Sequence, residues 1–178
     1  MRTFLLFMLL MFAMIPSSKQ IPQELPIFEI KDIKEEVVEI KGINEFLYDI
    51  GHQESGNRYF VVNRFGYMGK YQFGKSTLKT LKIKVTKEAF LNSPDLQEYA
   101  MKQNLLYNKN KLQKYIDKFD GCKISGILIT ESGILAAAHL GGPGSVKKWF
   151  RTGKVRKDGN GVKITTYMER FSGYDLYL

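Results

Sequence analysis

Glu54 is a carboxyl-bearing residue whose place in the sequence suits acid–base chemistry. The apolar residues before it recur at the spacing of a single helix face. They are Ile43, Phe46, Leu47 and Ile50. This period predicts a helix from about residue 43, with Glu54 in its last turn or just past it. Because a carboxyl can give up a proton and take it back, Glu54 is a candidate general acid and base.

The run that follows Glu54 supplies hydroxyl and amide groups. Residues 58–74 are rich in tyrosine and glycine and show no sustained helical period, so loop and short extended structure are predicted. Ser55 and Gln72 are expected to hydrogen-bond around the carboxyl or a ligand. Three tyrosines close in sequence are expected to wall the site and favour a protonated carboxyl. They are Tyr59, Tyr67 and Tyr71.

Helical spacing and capping residues recur along the rest of the chain. The predicted helices are Ser76 to Lys82, one capped by Thr86, a long one from Pro94 with a candidate break at Asn108 to Asn110, Ile134 to Leu140 capped by Thr130, Val146 to Phe150, and one holding Tyr167, Met168 and Phe171. Turns are predicted at Gly141 to Gly144 and at Lys157 to Gly161. The predicted fold class is mostly α (α+β), a single domain over 43–178 with a small irregular or β insertion at 58–74.

Composition bounds the number of domains and the kind of partner. A chain of 178 residues with 44% apolar residues suffices for one domain with a core and not for two ordinary ones. Its net charge of +9 favours polyanions in general. The lysines are spread from Lys70 to Lys163 without a compact basic run, so the charge alone does not select one class of partner.

Cysteine and histidine usage gives no sign of a disulfide or a metal. Cys122 is the only cysteine, so no internal disulfide is available, and it is interpreted as a small buried hydrophobe. His52 and His139 are the only histidines, and no zinc spacing occurs. The turn Asp158 to Gly161 lacks the downstream acid of a calcium loop. No metal and no cofactor are predicted.

The N-terminus has the layout of a secretory signal peptide. A short basic head precedes twelve apolar residues, Phe4 to Ile15, and then a small-residue breaker. As a helix this run spans roughly 18 Å, too short for the roughly 30 Å of a bilayer. We therefore expect a signal peptide at 1–18, a linker or extension at 19–42, export to the periplasm or cell envelope, and no stable membrane insertion after removal. Export argues against a nucleic-acid partner.

Four segments together resemble the lysozyme-like lytic transglycosylases of peptidoglycan, the soluble type related to goose-type lysozyme. Glu54-Ser55 matches the Glu-Ser pair that ends a helix, and Gly69-Lys70-Tyr71-Gln72 matches a Gly-x-x-Gln at similar distance. Residues 137–144 resemble an Ala-Ala-Tyr-Asn-Ala-Gly-Pro-Gly segment, and Tyr167 stands in place of a C-terminal site tyrosine. The likeness covers about 43–171. It departs at His139-Leu140, in place of Tyr-Asn, and at the bulky Lys70-Tyr71.

The resemblance implies cleavage of the β-1,4 bond between N-acetylmuramic acid and N-acetylglucosamine. Glu54 would protonate the leaving oxygen and then, as carboxylate, accept the proton of the muramic C6 hydroxyl, which attacks C1 and forms a 1,6-anhydro end. The implied partners are peptidoglycan glycan strands, and Glu54 is the predicted catalytic residue. The predicted substrate-binding residues are Ser55, Tyr67, Tyr71, Gln72, His139 and Tyr167.

Two alternatives keep the same partner. Glycoside hydrolysis ordinarily uses two carboxyls, so a hydrolytic muramidase needs a second acid, for which Glu131 and Asp158 are the candidates. A chain without catalytic activity would instead serve as a peptidoglycan-binding module.

Overall fold

A computed structural model describes residues 41–178. The helices are α1 (Ile43–Ser55), α2 (Lys75–Thr80), α3 (Lys87–Leu91), α4 (Pro94–Phe119), α5 (Glu131–Gly141), α6 (Pro143–Thr152) and α7 (Ile164–Arg170). One two-stranded sheet joins β1 (Lys123–Ile124) and β2 (Ile127–Leu128). The mostly helical fold class with a small β element is confirmed. The predicted signal peptide and nearly all of the predicted linker lie outside the described residues.

The first helix begins and ends where its sequence predicts. The Gly42 amide, just before α1, donates to Glu45 Oε2 at 2.9 Å and so satisfies one of the free donors of the first turn. Gly56 ends the helix in the left-handed conformation, with φ of 67°. Phe46 and Ile50 are fully buried. Glu54 therefore lies in the last turn, as predicted.

The longest helix is continuous. Ser93 caps α4 by accepting from the Leu96 amide at 3.3 Å, and Pro94 occupies its first turn. The break predicted at Asn108 to Asn110 is wrong. Asn108 is 1% exposed and its amide donates to Asn104 Oδ1 one turn earlier, so its polar group is satisfied without opening the helix.

The core is built around α5. Thr130 caps this helix as predicted by accepting from the Gly133 amide, and residues 132–138 are all buried. Small side chains allow close packing, above all between Gly133 and the Met168 carbonyl of α7. This approach fixes the position of α7, which carries Tyr167.

The non-helical parts agree with prediction in one place and differ in another. Residues 56–74 form loops with isolated bridges Val62–Met68 and Met68–Phe73, as expected of the irregular insertion. The β1–β2 hairpin was not predicted. Its turn residues Ser125 and Gly126 both have positive φ, 50° and 84°, which is typical of a two-residue hairpin turn.

The single cysteine lies at the surface of residues 41–178. Cys122 is exposed beside the hairpin, so its prediction as a buried hydrophobe is wrong. No helix in this range has the length and apolar character needed to cross a bilayer.

Gly133→Ala tests the packing of α5 on α7. A methyl group there would overlap the Met168 carbonyl oxygen, so we expect a loss of about 1–3 kcal/mol in the free energy of unfolding. Gly144→Ala in α6 is the control, because nothing lies within 4 Å of its added methyl. It should change stability by less than about 1 kcal/mol. Urea unfolding measures both, and equal effects would contradict the packing argument.

Candidate functional site

Glu54 and Tyr167 meet from α1 and α7. The Tyr167 hydroxyl donates to Glu54 Oε1 at 2.7 Å. Tyr167 is 3% exposed, whereas Glu54 is half-buried. Burial and the neighbouring Glu54 charge raise the pKa of Tyr167 well above its ordinary value, so this phenol keeps its proton and remains a donor. Within the described residues Glu54 Oε2 forms no hydrogen bond, so one carboxyl oxygen is fixed and the other is available.

A cavity of about 650 Å³ opens beside Glu54. Besides Glu54 itself, three residues predicted for the site line it: Tyr67, Gln72 and His139. Tyr67 is exposed to the cavity side, and Gln72 and His139 are half-buried. Carboxyl, phenol, amide and imidazole groups thus face one space, a set suited to a ligand rich in hydroxyl groups.

The cavity is also lined by residues that the sequence analysis did not predict for the site. Asn104, Tyr107 and Asn108 of α4 line it, although Asn104 and Asn108 are themselves buried. Two asparagines four residues apart on the buried face of an amphipathic helix are the sequence signal that could have identified Asn104 and Asn108. A polar pair in such a stripe needs a partner, and here the partner is His139.

His139 lies in a chain of hydrogen bonds. Its Nε2 is 3.0 Å from the Tyr71 carbonyl, an acceptor, so Nε2 carries the proton. Its Nδ1, 2.9 Å from Asn104 Nδ2, is then the acceptor, and Asn104 in turn accepts from Asn108. Burial lowers the pKa of His139 below its ordinary value, while the nearby Glu54 charge and the Tyr71 carbonyl act in the opposite direction. The imidazole is therefore neutral at neutral pH.

Ser55 holds the loop and does not line the cavity. Its hydroxyl donates to the Lys70 carbonyl at 2.8 Å and accepts from the Arg58 amide at 3.0 Å. Ser55 is 7% exposed. The prediction that it contacts substrate is therefore wrong for its side chain, because all the hydrogen bonds of its hydroxyl go to the backbone of the protein itself.

Tyr71 is likewise a core residue. It is fully buried and its hydroxyl donates to Glu98 Oε2 at 2.6 Å, so its predicted contact with substrate is wrong. Lys70 Nζ and the Tyr59 hydroxyl donate to the other oxygen of Glu98, at 2.8 and 2.7 Å. Burial alone would raise the pKa of Glu98, but these three donors outweigh it and lower the pKa. The bulky Lys70-Tyr71 pair thus has an anionic partner in α4.

Gln97 of α4 fixes the same loop through hydrogen bonds of its side-chain amide. Its Oε1 accepts from the Lys70 amide at 2.8 Å and its Nε2 donates to the Phe90 carbonyl at 2.9 Å. Gln97 packs directly on Gly69, where φ is 74° and an added methyl would overlap the Gln97 amide. Only glycine meets both requirements at this position.

Gln72 reaches the cavity from a left-handed backbone. Its φ is 50°, uncommon for a residue other than glycine. Its backbone amide and its Nε2 both donate to the Gly69 carbonyl, at 3.1 and 2.8 Å, which fixes the turn and the side chain together. The Gln72 side chain is thereby held in the cavity wall before any ligand arrives.

The turn before α7 also forms part of the cavity wall. Asp158 Oδ1 accepts from the Asn160 and Val162 amides at 2.9 and 2.7 Å, which shapes the predicted turn. Asp158 lines the cavity, and its charge contributes to the raised pKa of Tyr167. Arg64 donates to Asn160 Oδ1 at 2.9 Å and so joins this turn to the loop after α1.

Of the two candidate second acids, only Asp158 is in the cavity. Glu131 pairs with Lys109 at 2.9 Å and does not line the cavity. Across residues 41–178 no group of three His, Cys, Asp or Glu side chains is arranged to hold a metal ion. Comparison with protein-family models, curated proteins and solved structures gives no match to this chain.

The lowered pKa of His139 leads us to predict a pH-dependent stability. The unfolded chain takes up a proton at His139 below about pH 6.5, whereas the folded protein resists it to lower pH. The free energy of unfolding should therefore be highest above about pH 6.5 and fall as pH drops towards the folded pKa, by up to about 1.4 kcal/mol per pH unit.

His139→Gln is the matched variant, because its amide can donate to the Tyr71 carbonyl and accept from Asn104 without titrating. Urea unfolding between pH 7.5 and 5 should show a weaker pH dependence in this variant. Identical slopes in the two proteins would contradict the assignment of a neutral His139.

Proposed function

We propose that this chain is a lysozyme-like peptidoglycan lytic transglycosylase. It cleaves the β-1,4 bond between N-acetylmuramic acid and N-acetylglucosamine, with Glu54 as acid and then base. The observation that carries the proposal is the 2.7 Å hydrogen bond from Tyr167 to Glu54 Oε1, at the edge of a cavity that Glu54 lines. The proposal also rests on the four sequence segments that resemble this family, and on export to the cell envelope as predicted from residues 1–18.

Glu54 can carry a proton on the oxygen that Tyr167 leaves available. In the first step Oε2–H gives its proton to the glycosidic oxygen as the bond from that oxygen to C1 breaks. In the second step the muramic C6 hydroxyl attacks C1 and its proton passes to the Glu54 carboxylate. The C6–O–C1 bond replaces the bond that was lost, Glu54 regains its proton, and no water is consumed.

Tyr167 would support both steps without titrating. Its hydroxyl stabilises the carboxylate formed after the first proton transfer, and its raised pKa keeps it a donor throughout. The fixed Oε1 also holds the carboxyl in one orientation, so that Oε2 is presented to the cavity. Preorganised donors of this kind act where charge develops during the reaction.

The cavity wall offers sites for the sugar. The half-buried Gln72 and the neutral His139 are polar groups that line the cavity. The exposed Tyr67 ring provides an apolar face against which a sugar ring can pack. We assign the substrate contacts to these three residues, and a supporting role to Ser55 and Tyr71.

A second candidate function, hydrolysis, is favoured by one observation. Asp158 lines the same cavity as Glu54, and its Oδ2 forms no hydrogen bond within residues 41–178. Paired carboxyls across a cavity can activate a water for glycoside hydrolysis. In that case the product would carry the elements of water in place of an anhydro ring.

Glu54→Gln tests the catalytic assignment. The amide keeps the shape of the side chain and cannot transfer the proton, so release of soluble fragments from purified peptidoglycan should fall about 10²–10⁴-fold. Glu131→Gln removes a carboxyl outside the cavity and should leave release within a few-fold of the unchanged chain. If the unchanged chain binds peptidoglycan and releases nothing, it is a binding module and the proposal fails.

Asp158→Asn separates the two chemistries. Asparagine keeps an Oδ1 that can accept from the Asn160 and Val162 amides, so the turn is preserved. We expect products lighter by one water than hydrolysis products, formed at a rate within about tenfold of the unchanged chain. Hydrated products that disappear in this variant, as detected by mass spectrometry, would instead establish hydrolysis.

A further inference from the structure

A second concave surface lies on the other side of α2. Its floor is apolar, formed by Met68, Leu78, Ile83 and Val85, and its rim carries Lys75, Lys79, Lys82, Lys84 and Lys87. We name it the lysine groove; its volume is about 800 Å³. It shares no residue with the cavity of Glu54, because Ser76, Thr77 and Thr80 of α2 line that cavity instead.

The rim is strongly and uniformly positive. All five lysines are exposed, and no acidic residue occurs from 75 to 87. The ion pairs formed within residues 41–178 involve other lysines, so these five ammonium groups have no carboxylate of that range within 4.0 Å. Like charges on the rim of one groove repel one another, and an anionic surface would relieve that repulsion.

The chain alternates between floor and rim along one edge of the groove. Ile83 and Val85 are half-buried floor residues, while Lys82 and Lys84, which precede each of them in the chain, are exposed on the rim. Leu78 and Met68 complete the floor and are 4% and 2% exposed. Lysine side chains arranged in this way can rest their methylene stems on apolar surface and extend their ammonium groups outward.

A ligand that suits both parts has an anionic head beside an apolar body. A purely ionic polymer would use the rim and leave the floor empty, and a neutral hydrophobe would leave the lysines unpaired. We propose that the lysine groove docks the protein on a bilayer surface that contains anionic phospholipids. Phosphate groups would meet the ammonium groups, and the floor would meet the interfacial part of the acyl chains.

Docking through this face would leave the cavity of Glu54 accessible. The two surfaces take opposite sides of one short helix, so contact of the lysine groove with a membrane would not cover the cavity. The inference does not depend on Glu54 chemistry, and the Glu54→Gln variant should bind vesicles like the unchanged chain.

A dye placed on the rim tests contact directly. Cys122 is exposed and is the only cysteine, so Lys84→Cys with Cys122→Ser gives one label beside the floor, and the unchanged chain labelled at Cys122 is the control. With vesicles of phosphatidylglycerol and phosphatidylcholine, the emission of an environment-sensitive dye at position 84 should shift to the blue. The shift should be smaller at Cys122 and absent with phosphatidylcholine alone. Because the readout is local, membrane binding by the apolar run near the N-terminus does not produce it.

Charge variants test the rim. Replacing Lys75, Lys79 and Lys87 together by Gln should raise the lipid concentration at half-maximal shift by about 100-fold at low salt, since each lysine near an anionic surface contributes roughly fivefold. The control replaces three exposed lysines of α4, Lys111, Lys114 and Lys118, by Gln and should change it less than about fivefold.

Three results would overturn the proposal. They are a dye at position 84 that does not respond to anionic vesicles, equal weakening by the two triple variants, and binding of soluble polyphosphate by the rim without any vesicle response.

Discussion

The site depends on one constraint: a buried segment without regular secondary structure must still satisfy its polar groups. The backbone polar groups of residues 69–72 are satisfied by side chains from three helices. Ser55 of α1 and Gln97 of α4 bond the Lys70 carbonyl and amide, and His139 of α5 bonds the Tyr71 carbonyl. The Glu98 carboxylate then neutralises the Lys70 ammonium from α4. The loop is thereby fixed relative to α1, α4 and α5, three of the helices that line the cavity.

The elements that follow from local chemistry could be predicted. The helical period of the apolar residues predicted α1. Residue type predicted the caps at Thr86 and Thr130, because a helix start needs acceptors for its free amides and threonine supplies one. The position of Glu54 in a last helical turn followed from the same period. Its contact with Tyr167 was expected only through the resemblance, since 113 residues separate the two and no local rule joins them.

The roles of side chains within the loop could not be predicted. Tyr71 and Tyr67 are alike in sequence context, yet one is fully buried and the other is exposed at the cavity. The difference is set by Glu98, a residue of α4 that no periodic pattern marks. The sequence predicts a helix break at Asn108, since asparagine competes for backbone hydrogen bonds. In the fold its amide finds Asn104 instead, so that tertiary context overrides the local preference.

The hydrogen bonds that fix residues 69–72 have a consequence for the exchange of amide hydrogens with solvent. Slow replacement of amide hydrogens by deuterium ordinarily marks helices and sheets, where backbone partners protect them. Here the Lys70 amide donates to the buried side-chain oxygen of Gln97. The Met68 amide donates to the Phe73 carbonyl, and the Phe73 amide donates to the Met68 carbonyl. A stretch that belongs to no helix or sheet should therefore exchange as slowly as the core around it.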